Sequence, residues 1–190
     1  MKKISLRTTL VFLILFTGCE EAKELIDNQE IDVNTSFVVS FSFGIPEMAD
    51  PTTPVDYGRS EGYDILSNPE VAERIGDPDR IKKVVINSIQ YEFRNFTGNV
   101  DANASGRFVF EPGSQGNNVF ETETVNIANS DLLGTIYTLQ GDFEDISQRI
   151  SQDRRVFFTN AGTSSHNPAG WIIDVFFNVT VTVELDADDL

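Results

Sequence analysis

The last part of the chain carries the strictest pattern in the sequence, an alternation of apolar and mostly polar residues without a break. Its apolar positions are Ile173, Val175, Phe177, Val179, Val181, Val183 and Leu185. A period of two places all of these side chains on one face of a β-strand. At a rise of ~3.3 Å per residue the strand is about 40 Å long, so we expect it to bend or to take part in two sheets. Any fold that accommodates such a strand is mainly β.

Other segments earlier in the chain predict more strands. Apolar residues alternate from Phe37 to Phe43, and a longer alternating segment from Ile81 to Phe93 changes phase at Asn87 and Ser88, as at a β-bulge. Further strands are predicted over residues 107–111, 119–127 and 156–158. Turn residues separate these segments, which is typical of an antiparallel β-sandwich. We predict that fold for a single domain over residues 31–190.

One or two short helices are predicted between the strands. Asn68 and Pro69 form an N-cap and a first helical position, and Gly76 suits the end of a helix of about two turns. Asp142 begins a clearer helix, in which three apolar residues share a face: Phe143, Ile146 and Ile150. Residues 130–139 show weaker helical spacing, since they include Gly and β-branched residues.

The first residues have the layout of a secretory signal peptide. Basic residues precede an unbroken apolar run at positions 10–16, and the sequence Phe-Thr-Gly-Cys ends at Cys19, the only cysteine. The apolar run is about half of the roughly 20 residues that a membrane-spanning helix needs. The layout resembles that of bacterial lipoprotein precursors. The resemblance implies a signal peptide over residues 1–18 and a lipidated Cys19 that attaches the protein to a membrane.

Residues 19–30 are predicted to be an acidic tether between the lipidated cysteine and the domain. Acidic residues directly after the cysteine, the segment from Asn68 to Phe96 and the long Val/Thr-rich strand at the C-terminus resemble uncharacterised lipoproteins of Bacteroidota-type (flavobacterial) bacteria. This resemblance implies an outer-membrane lipoprotein, on either the periplasmic or the surface-exposed side. It implies no catalytic residue.

The charge of the chain restricts its partners. The protein has 30 acidic and 14 basic residues, a formal net charge of −16, and the predicted signal peptide contains three of the basic residues and none of the acidic ones. Nucleic-acid binding needs clustered Lys and Arg, so this composition excludes nucleic acid as a partner. Anionic lipid head groups are repelled as well, so membrane attachment has to come from the lipid on Cys19.

Two long aperiodic segments, 45–64 and 160–170, are predicted to be loops. Long loops in a compact domain are often functional, and aromatic rings at the ends of a sandwich can stack on sugars or on partner side chains. The predicted ligand-binding residues are Tyr57, Tyr63, His166 and Trp171. We expect binding in these loops and not on a sheet face. An alternative for Trp171 is that it opens the last strand and packs in the core.

Residues suited to catalysis or metal binding are few. Glu121 and Glu123 are predicted on one face of a strand about 6.6 Å apart, and carboxylate pairs near that spacing can cleave glycosides. A solvent-facing polar strand explains the same residues. His166 is the only histidine and lacks the partners of a catalytic triad or a zinc site. Aspartates in turns could supply oxygen ligands to calcium, but none has the spacing of a calcium loop.

We therefore predict no cofactor, no metal and no enzymatic activity. The sequence favours a lipid-anchored cell-envelope lipoprotein that acts as a binding or structural module, with a glycan or an envelope protein as its partner. The alternative is an envelope glycan hydrolase that uses the carboxylate pair.

Overall fold

The computed structural model describes residues 29–67, 69, 78–111 and 118–184. Within them the strands are β1 (Glu30–Ile45), β2 (Val55–Asp64), β3 (Ile81–Gly98), β4 (Asn103–Phe110), β5 (Val119–Glu121), β6 (Val125–Asn126), β7 (Ile136–Thr138), β8 (Arg155–Ser164) and β9 (Ala169–Glu184). The α-helices are α1 (Ile127–Leu133) and α2 (Glu144–Asp153), and 3₁₀ turns cover Ile65–Ser67 and Pro78–Arg80. The predicted signal peptide, Cys19, nearly all of the tether, Leu185 and all but Pro69 of the helix predicted at 68–76 lie outside the described residues.

The strands form two antiparallel sheets. Sheet A has the order β1-β9-β3-β7, and sheet B has the order β2-β8-β4-β5, with β6 also paired to β4. Strands β1, β3, β7 and β9 thus belong to one sheet, and the strands between them in the chain belong to the other. This strand order is that of a jelly roll, in which two Greek keys interleave. The predicted antiparallel β-sandwich with short inserted helices is confirmed.

Strand β9 organises the core as its sequence pattern predicts. Its inward-facing side chains from Trp171 to Val183 are at most 5% exposed. It pairs with β1 on one side and with β3 on the other over nearly its whole length. The expectation that it takes part in two sheets is wrong, because both of its edges are already occupied within sheet A. Burial of each Val, Ile or Phe in this row stabilises the fold by about 1.5–3 kcal/mol.

Aromatic rings from both sheets meet in the middle of the sandwich. The Phe158 ring of sheet B lies 5.0 Å from Phe41 and 5.4 Å from Phe177, both of sheet A, measured between ring centroids. It also stacks on Phe110 at 5.0 Å. Described residues include no cysteine, so packing of such rings and aliphatic side chains holds the two sheets together.

Helix α2 covers an exposed edge of sheet A. Strand β7 pairs only with residues 90–92 of β3, which leaves the earlier part of β3 without a strand on that side. The Ser147 hydroxyl accepts a hydrogen bond from the Ile86 amide at 2.9 Å, and the Ser151 hydroxyl accepts one from the Val84 amide at 2.7 Å. Covering an edge in this way satisfies its backbone groups and prevents pairing with another chain. The predicted helix and the bulge predicted near Asn87 are both confirmed, but the N-cap residue of the helix is Phe143 and not Asp142.

Parts of the two segments predicted as long loops are strands instead. Residues 55–64 form β2, and the segment 160–170 is divided between β8, a short turn and the start of β9. Strand β2 lacks a clear apolar alternation because it lies at the edge of the sandwich, where Arg59 and Glu61 take positions in the row of Tyr57. Their side chains form an ion pair at 2.7 Å and remain 51% and 32% exposed. Likewise, residues 130–139 hold the end of α1 and β7 and no single helix.

Candidate functional site

The sandwich has two ends, which differ in what they present. At the proximal pole, Glu30 at the start of β1 pairs with Glu184 at the end of β9. At the distal pole lie three connections, formed by residues 46–54, 99–102 and 165–168. Strand β1 has 16 residues, so the two poles are about 50 Å apart at ~3.3 Å per residue.

Asn167 joins two of the distal connections. Its side chain is completely buried, and its Oδ1 accepts a hydrogen bond from the Met48 amide at 2.8 Å. Its Nδ2 donates to the carbonyls of Asp50 and Thr53 at 3.0 and 3.1 Å, and its backbone amide donates to Pro51 at 2.9 Å. All the polar groups of this side chain are satisfied, so Asn167 holds the connection at 46–54 in place.

The third connection is attached to the same turn. The Asn99 amide donates to the Pro168 carbonyl at 2.8 Å, and the Ser165 amide donates to Asn103 at 2.9 Å. Gly98 has a φ of +106°, and a Cβ at this position would lie 2.3 Å from the Pro168 oxygen. A residue other than glycine would strain the backbone and collide with the turn. The sequence therefore builds three connections that support one another.

His166 lies half-buried at this pole, in the turn between β8 and β9. Its Nδ1 is 2.8 Å from the Ser165 hydroxyl, which also accepts a hydrogen bond from the Asn103 amide at 3.0 Å. Among the described residues, no hydrogen bond joins His166 to a carboxylate that could complete a triad. The Ser–His contact is thus part of the turn, and the arrangement does not match a nucleophile with an oriented base.

The outer surface of the distal pole combines acidic and apolar side chains. Met48 is 44% exposed and Val100 is 65% exposed, with the exposed Asp50 and Asp101 nearby in the same connections. Hydrogen bonds from the Thr52 hydroxyl at 2.7 Å and the Thr52 amide at 2.9 Å lower the pKa of Asp50, and the nearby imidazole of His166 acts in the same direction. These interactions favour the ionised form of Asp50.

Trp171 lies in the core and not at the surface. It is 2% exposed, and its ring lies 5.3 Å from Phe43 and 5.2 Å from Tyr57. This is the alternative that the sequence left open for Trp171. Its indole nitrogen has no hydrogen-bond partner among the described residues. The ring contributes to stability, and the structure does not support it as a ligand contact.

Tyr57 and Tyr63 point into the edge of the sandwich from β2. The Tyr63 ring stacks on Phe37 with a centroid distance of 4.3 Å, and the Tyr57 ring packs against Phe43 at 4.9 Å. Burial raises the pKa of the Tyr57 phenol far above its usual value. Of the four predicted ligand-binding residues, Tyr57 and Trp171 are in contact inside the sandwich, Tyr63 packs separately on Phe37, and only His166 lies in a connection of the distal pole.

Glu121 and Glu123 do not share a recess. Glu121 ends β5 and borders a depression on the outside of sheet B, whereas Glu123 is exposed in the segment between β5 and β6. Residues 122–124 are not part of a strand, so the alternation that would place both carboxylates on one face does not hold. Among the described residues, the two carboxylates therefore do not form the one-faced pair that the sequence predicts.

A different carboxylate pair, not foreseen from the sequence, lies on the outside of sheet A. Asp174 is only 6% exposed although it belongs to the outward row of β9. It accepts a hydrogen bond from the Ser40 hydroxyl at 2.6 Å and lies 2.8 Å from an Arg94 nitrogen, which is also 3.5 Å from Glu92. One guanidinium thus bridges two carboxylates across neighbouring strands, which is a structural salt-bridge network.

Phe157 is another residue whose position the sequence did not specify. It is 51% exposed on the outward row of β8, between the buried Val156 and Phe158. Successive side chains of a strand face opposite sides, so one of the two consecutive residues Phe157 and Phe158 has to face outward. This alternation was the only sequence signal for an exposed Phe. Asn167 had no comparable signal, since its partners are backbone groups far away in the sequence.

Two further properties concern membranes and metals. Among the described residues, no helix is both long and apolar enough to cross a bilayer. Within the same residues, no three His, Cys, Asp or Glu side chains are grouped so that they could hold a metal ion. Several of the turn aspartates considered as calcium ligands, such as Asp77 and Asp186, lie outside the described residues.

Comparison with known proteins finds distant structural similarity alone. The chain is similar to the decameric BFDV capsid protein, with 8% identity and a TM-score of 0.44 over 80% of this chain and 99% of that one. It is also similar to mud crab tombus-like virus (10% identity, TM-score 0.41, 84% and 82% of the two chains). A third is turnip yellow mosaic virus (9% identity, TM-score 0.37, 83% and 96%). No protein-family model and no curated protein matches the sequence. The jelly-roll assignment therefore depends on the strand order.

Proposed function

We propose that the protein is a lipid-anchored, noncatalytic binding module of the bacterial cell envelope, attached to the outer membrane through acyl groups on Cys19. The observation that supports this most directly is the separation of the two poles. The chain enters β1 at the proximal pole, and the three mutually supported connections lie at the distal pole. A lipid upstream of β1 leaves the distal pole facing away from the membrane.

The tether is consistent with this arrangement. About ten residues separate Cys19 from β1, and a fully extended segment of that length reaches about 35 Å. Its acidic side chains are repelled by anionic head groups. The tether and the length of the sandwich together carry the distal pole well beyond the bilayer surface, on either side of the outer membrane.

The distal pole has the properties of a recognition surface. Its connections are short and are held by hydrogen bonds to a rigid scaffold, as in many binding proteins. It presents the apolar side chains of Met48 and Val100 among carboxylates, so a glycan or a second envelope protein is a suitable partner and an anionic one is not.

Lipid attachment is tested by Cys19→Ala in cells fed a labelled fatty acid. We expect the variant to lose the label and to appear in the soluble fraction. Thr17→Ala, which keeps the cysteine and replaces a neighbouring small residue, is the control and should remain labelled and membrane-bound. Membrane retention of Cys19→Ala without label contradicts the lipid anchor.

Binding at the distal pole is tested by photo-crosslinking in cells. A photoreactive amino acid is placed at Val100 in one strain and at Ile31, an exposed aliphatic residue of the proximal pole, in another. We expect a crosslinked envelope component from position 100 and none from position 31, and staining for glycan or protein identifies its class. Products from position 31 alone, or from neither position, contradict a binding role for the distal pole.

A further inference from the structure

On the outside of sheet B, the aromatic ring of Phe157 lies over a glycine of the neighbouring strand. Phe157 pairs in register with Gly62 on the neighbouring strand β2. A Cβ at position 62 would lie only 2.4 and 2.5 Å from two carbons of the Phe157 ring. The ring thus lies across β2 in the space that a side chain at 62 would fill, and it remains 51% exposed. Glycine at this position keeps the ring low against the sheet.

Charged groups of both signs surround the ring. A depression of about 270 Å³ is bordered by Phe157 together with Glu111, Arg149, Asp153 and Arg155. Arg155 is held by Asp64, with 3.0 Å between Nε and Oδ2, and the Glu111 amide donates to the Phe157 carbonyl at 2.9 Å. Hydrogen-bond donors and acceptors therefore lie within reach of a ligand that rests on the ring.

A floor of short side chains continues from the ring towards the distal pole. The outward row of β8 consists of Thr159, Ala161 and Thr163, and its neighbours on β2 and β4 include Gly58, Ser60 and Ser105. This floor leads into a second depression of about 490 Å³, which Asp56, Arg107 and Glu121 border. From position 157 to position 163 the floor is about 20 Å long.

We propose that this outer face of sheet B binds an extended neutral polysaccharide, with the Phe157 ring stacked against one sugar ring. The face of a phenyl ring carries partial negative charge and attracts the C–H groups on one face of a pyranose. Carboxylates accept hydrogen bonds from sugar hydroxyls, and guanidinium groups donate to them. The acidic and the basic side chains around Phe157 can therefore both bind sugar hydroxyls.

Charge and shape select this ligand over others. The net charge of −16 repels an acidic polysaccharide. A protein interface usually has a buried core of several apolar residues, whereas this surface offers a single exposed ring between polar groups. The floor is open and longer than one sugar, so it has room for several linked sugars of a polysaccharide. The site lies on a sheet face and does not depend on the binding role proposed for the distal pole.

The test uses the full-length protein in detergent and affinity electrophoresis through gels that contain a soluble polysaccharide. The neutral probes are a soluble β-glucan, dextran and mannan, and the acidic probe is alginate. We expect retardation by at least one neutral probe and none by alginate. Phe157→Ala should weaken that binding about tenfold or more. Gly62→Ala, which keeps the ring but displaces it from its seat, should weaken it severalfold.

Two further variants make the result specific. Phe176→Ala removes a half-buried Phe from the outer face of sheet A and should bind as the wild type does. Phe157→Tyr keeps an aromatic ring and should retain binding, so it replaces Phe157→Ala if that variant fails to fold. The proposal is overturned if the wild type binds none of the neutral probes, if alginate alone is bound, or if folded Phe157→Ala and Gly62→Ala bind normally. Each of these results leaves the crosslinking test of the distal pole unaffected.

Discussion

The outer faces of the two sheets are built from the same alternation, and both have cross-strand bonds between polar side chains, but they differ in the exposure of an aromatic ring. On sheet A, outward side chains bond to one another across the strands. Thr180 donates to Asn34 at 2.8 Å and accepts from Asn87 at 2.9 Å, and Asn178 donates to Ser88 at 2.9 Å. On sheet B, Ser60 and Thr159 likewise bond at 2.6 Å and Thr163 donates to Asp56 at 2.8 Å, but the Phe157 ring beside them is 51% exposed.

The exposed ring, and not the bonding of the polar side chains, distinguishes the outer face of sheet B. Polar groups that already satisfy one another gain little from a ligand, since binding has to break those bonds first. On sheet B, the Arg155–Asp64 ion pair beside the ring is 60% and 33% exposed, and about half of the Phe157 side chain is in water. Both outer faces thus contribute to stability, and the exposed Phe157 ring is the feature of sheet B on which the proposed recognition depends.

The largest expected effect is in the core that both sheets share. Phe177 is completely buried in β9 and contacts the rings of Phe37 and Phe158. Phe177→Ala should lower the free energy of unfolding by about 3–5 kcal/mol, because it leaves a cavity between the sheets. Urea denaturation followed by tryptophan fluorescence measures this change. A loss below about 1 kcal/mol means that the two sheets do not pack through this residue.

High pH should destabilise the inner faces of both sheets. Burial raises the pKa of Tyr57 in sheet B, and in Tyr91 of sheet A burial is again the main cause, with the charge of Glu123 adding to it. A phenol that stays neutral when folded but ionises near pH ~10 when unfolded removes stability as the pH rises above that value.

At about pH 11 the two phenols together should lower the free energy of unfolding by about 2 kcal/mol relative to neutral pH. Each of the variants Tyr57→Phe and Tyr91→Phe should remove part of this loss, and absorbance at high pH reports ionisation directly. A pH dependence that is unchanged in both variants shows that these phenols are not buried.

Matched carboxylates distinguish the two outer faces. Asp174→Ala in sheet A removes a partly buried carboxylate from Ser40 and Arg94 and should lower stability by about 1–2 kcal/mol. Arg94 is 53% exposed, so water can replace part of its interaction. Glu121→Ala, at an exposed position of sheet B, should stay within about 0.5 kcal/mol. Thermal unfolding of both variants gives the comparison, and equal effects remove the distinction between the faces.

The smallest expected effect on stability is at the ring that is proposed to bind sugar. Phe157→Ala should change the free energy of unfolding by less than about 1 kcal/mol, because about half of the side chain is already in water. This result is compared with that of Phe177→Ala, which is the same substitution at a buried position between the two sheets. A large loss of stability at position 157 indicates a structural role for the ring and weakens its assignment to ligand binding.

Patterns in the sequence predict the strands with strong alternation, the inward row of β9, the bulge in β3, helix α2 and the antiparallel sandwich. These features are readable because alternation and helical spacing are local consequences of burying one face. The edge strand β2 could not be predicted in this way. Its inward row is interrupted by the charged residues Arg59 and Glu61, which are tolerated there because the edge is open to water.

Strand pairing, and the residues that meet across the strands, could not be predicted from the sequence. The jelly-roll order, the burial of Trp171 against Tyr57, and the bonds of Asn167 to backbone groups more than 100 residues away are contacts between distant parts of the chain. The packing of the Phe157 ring over Gly62 is another such contact. A periodic pattern reports which face of an element is buried, but it contains no information on what lies against that face, because register and sheet order are set by packing between segments far apart in sequence.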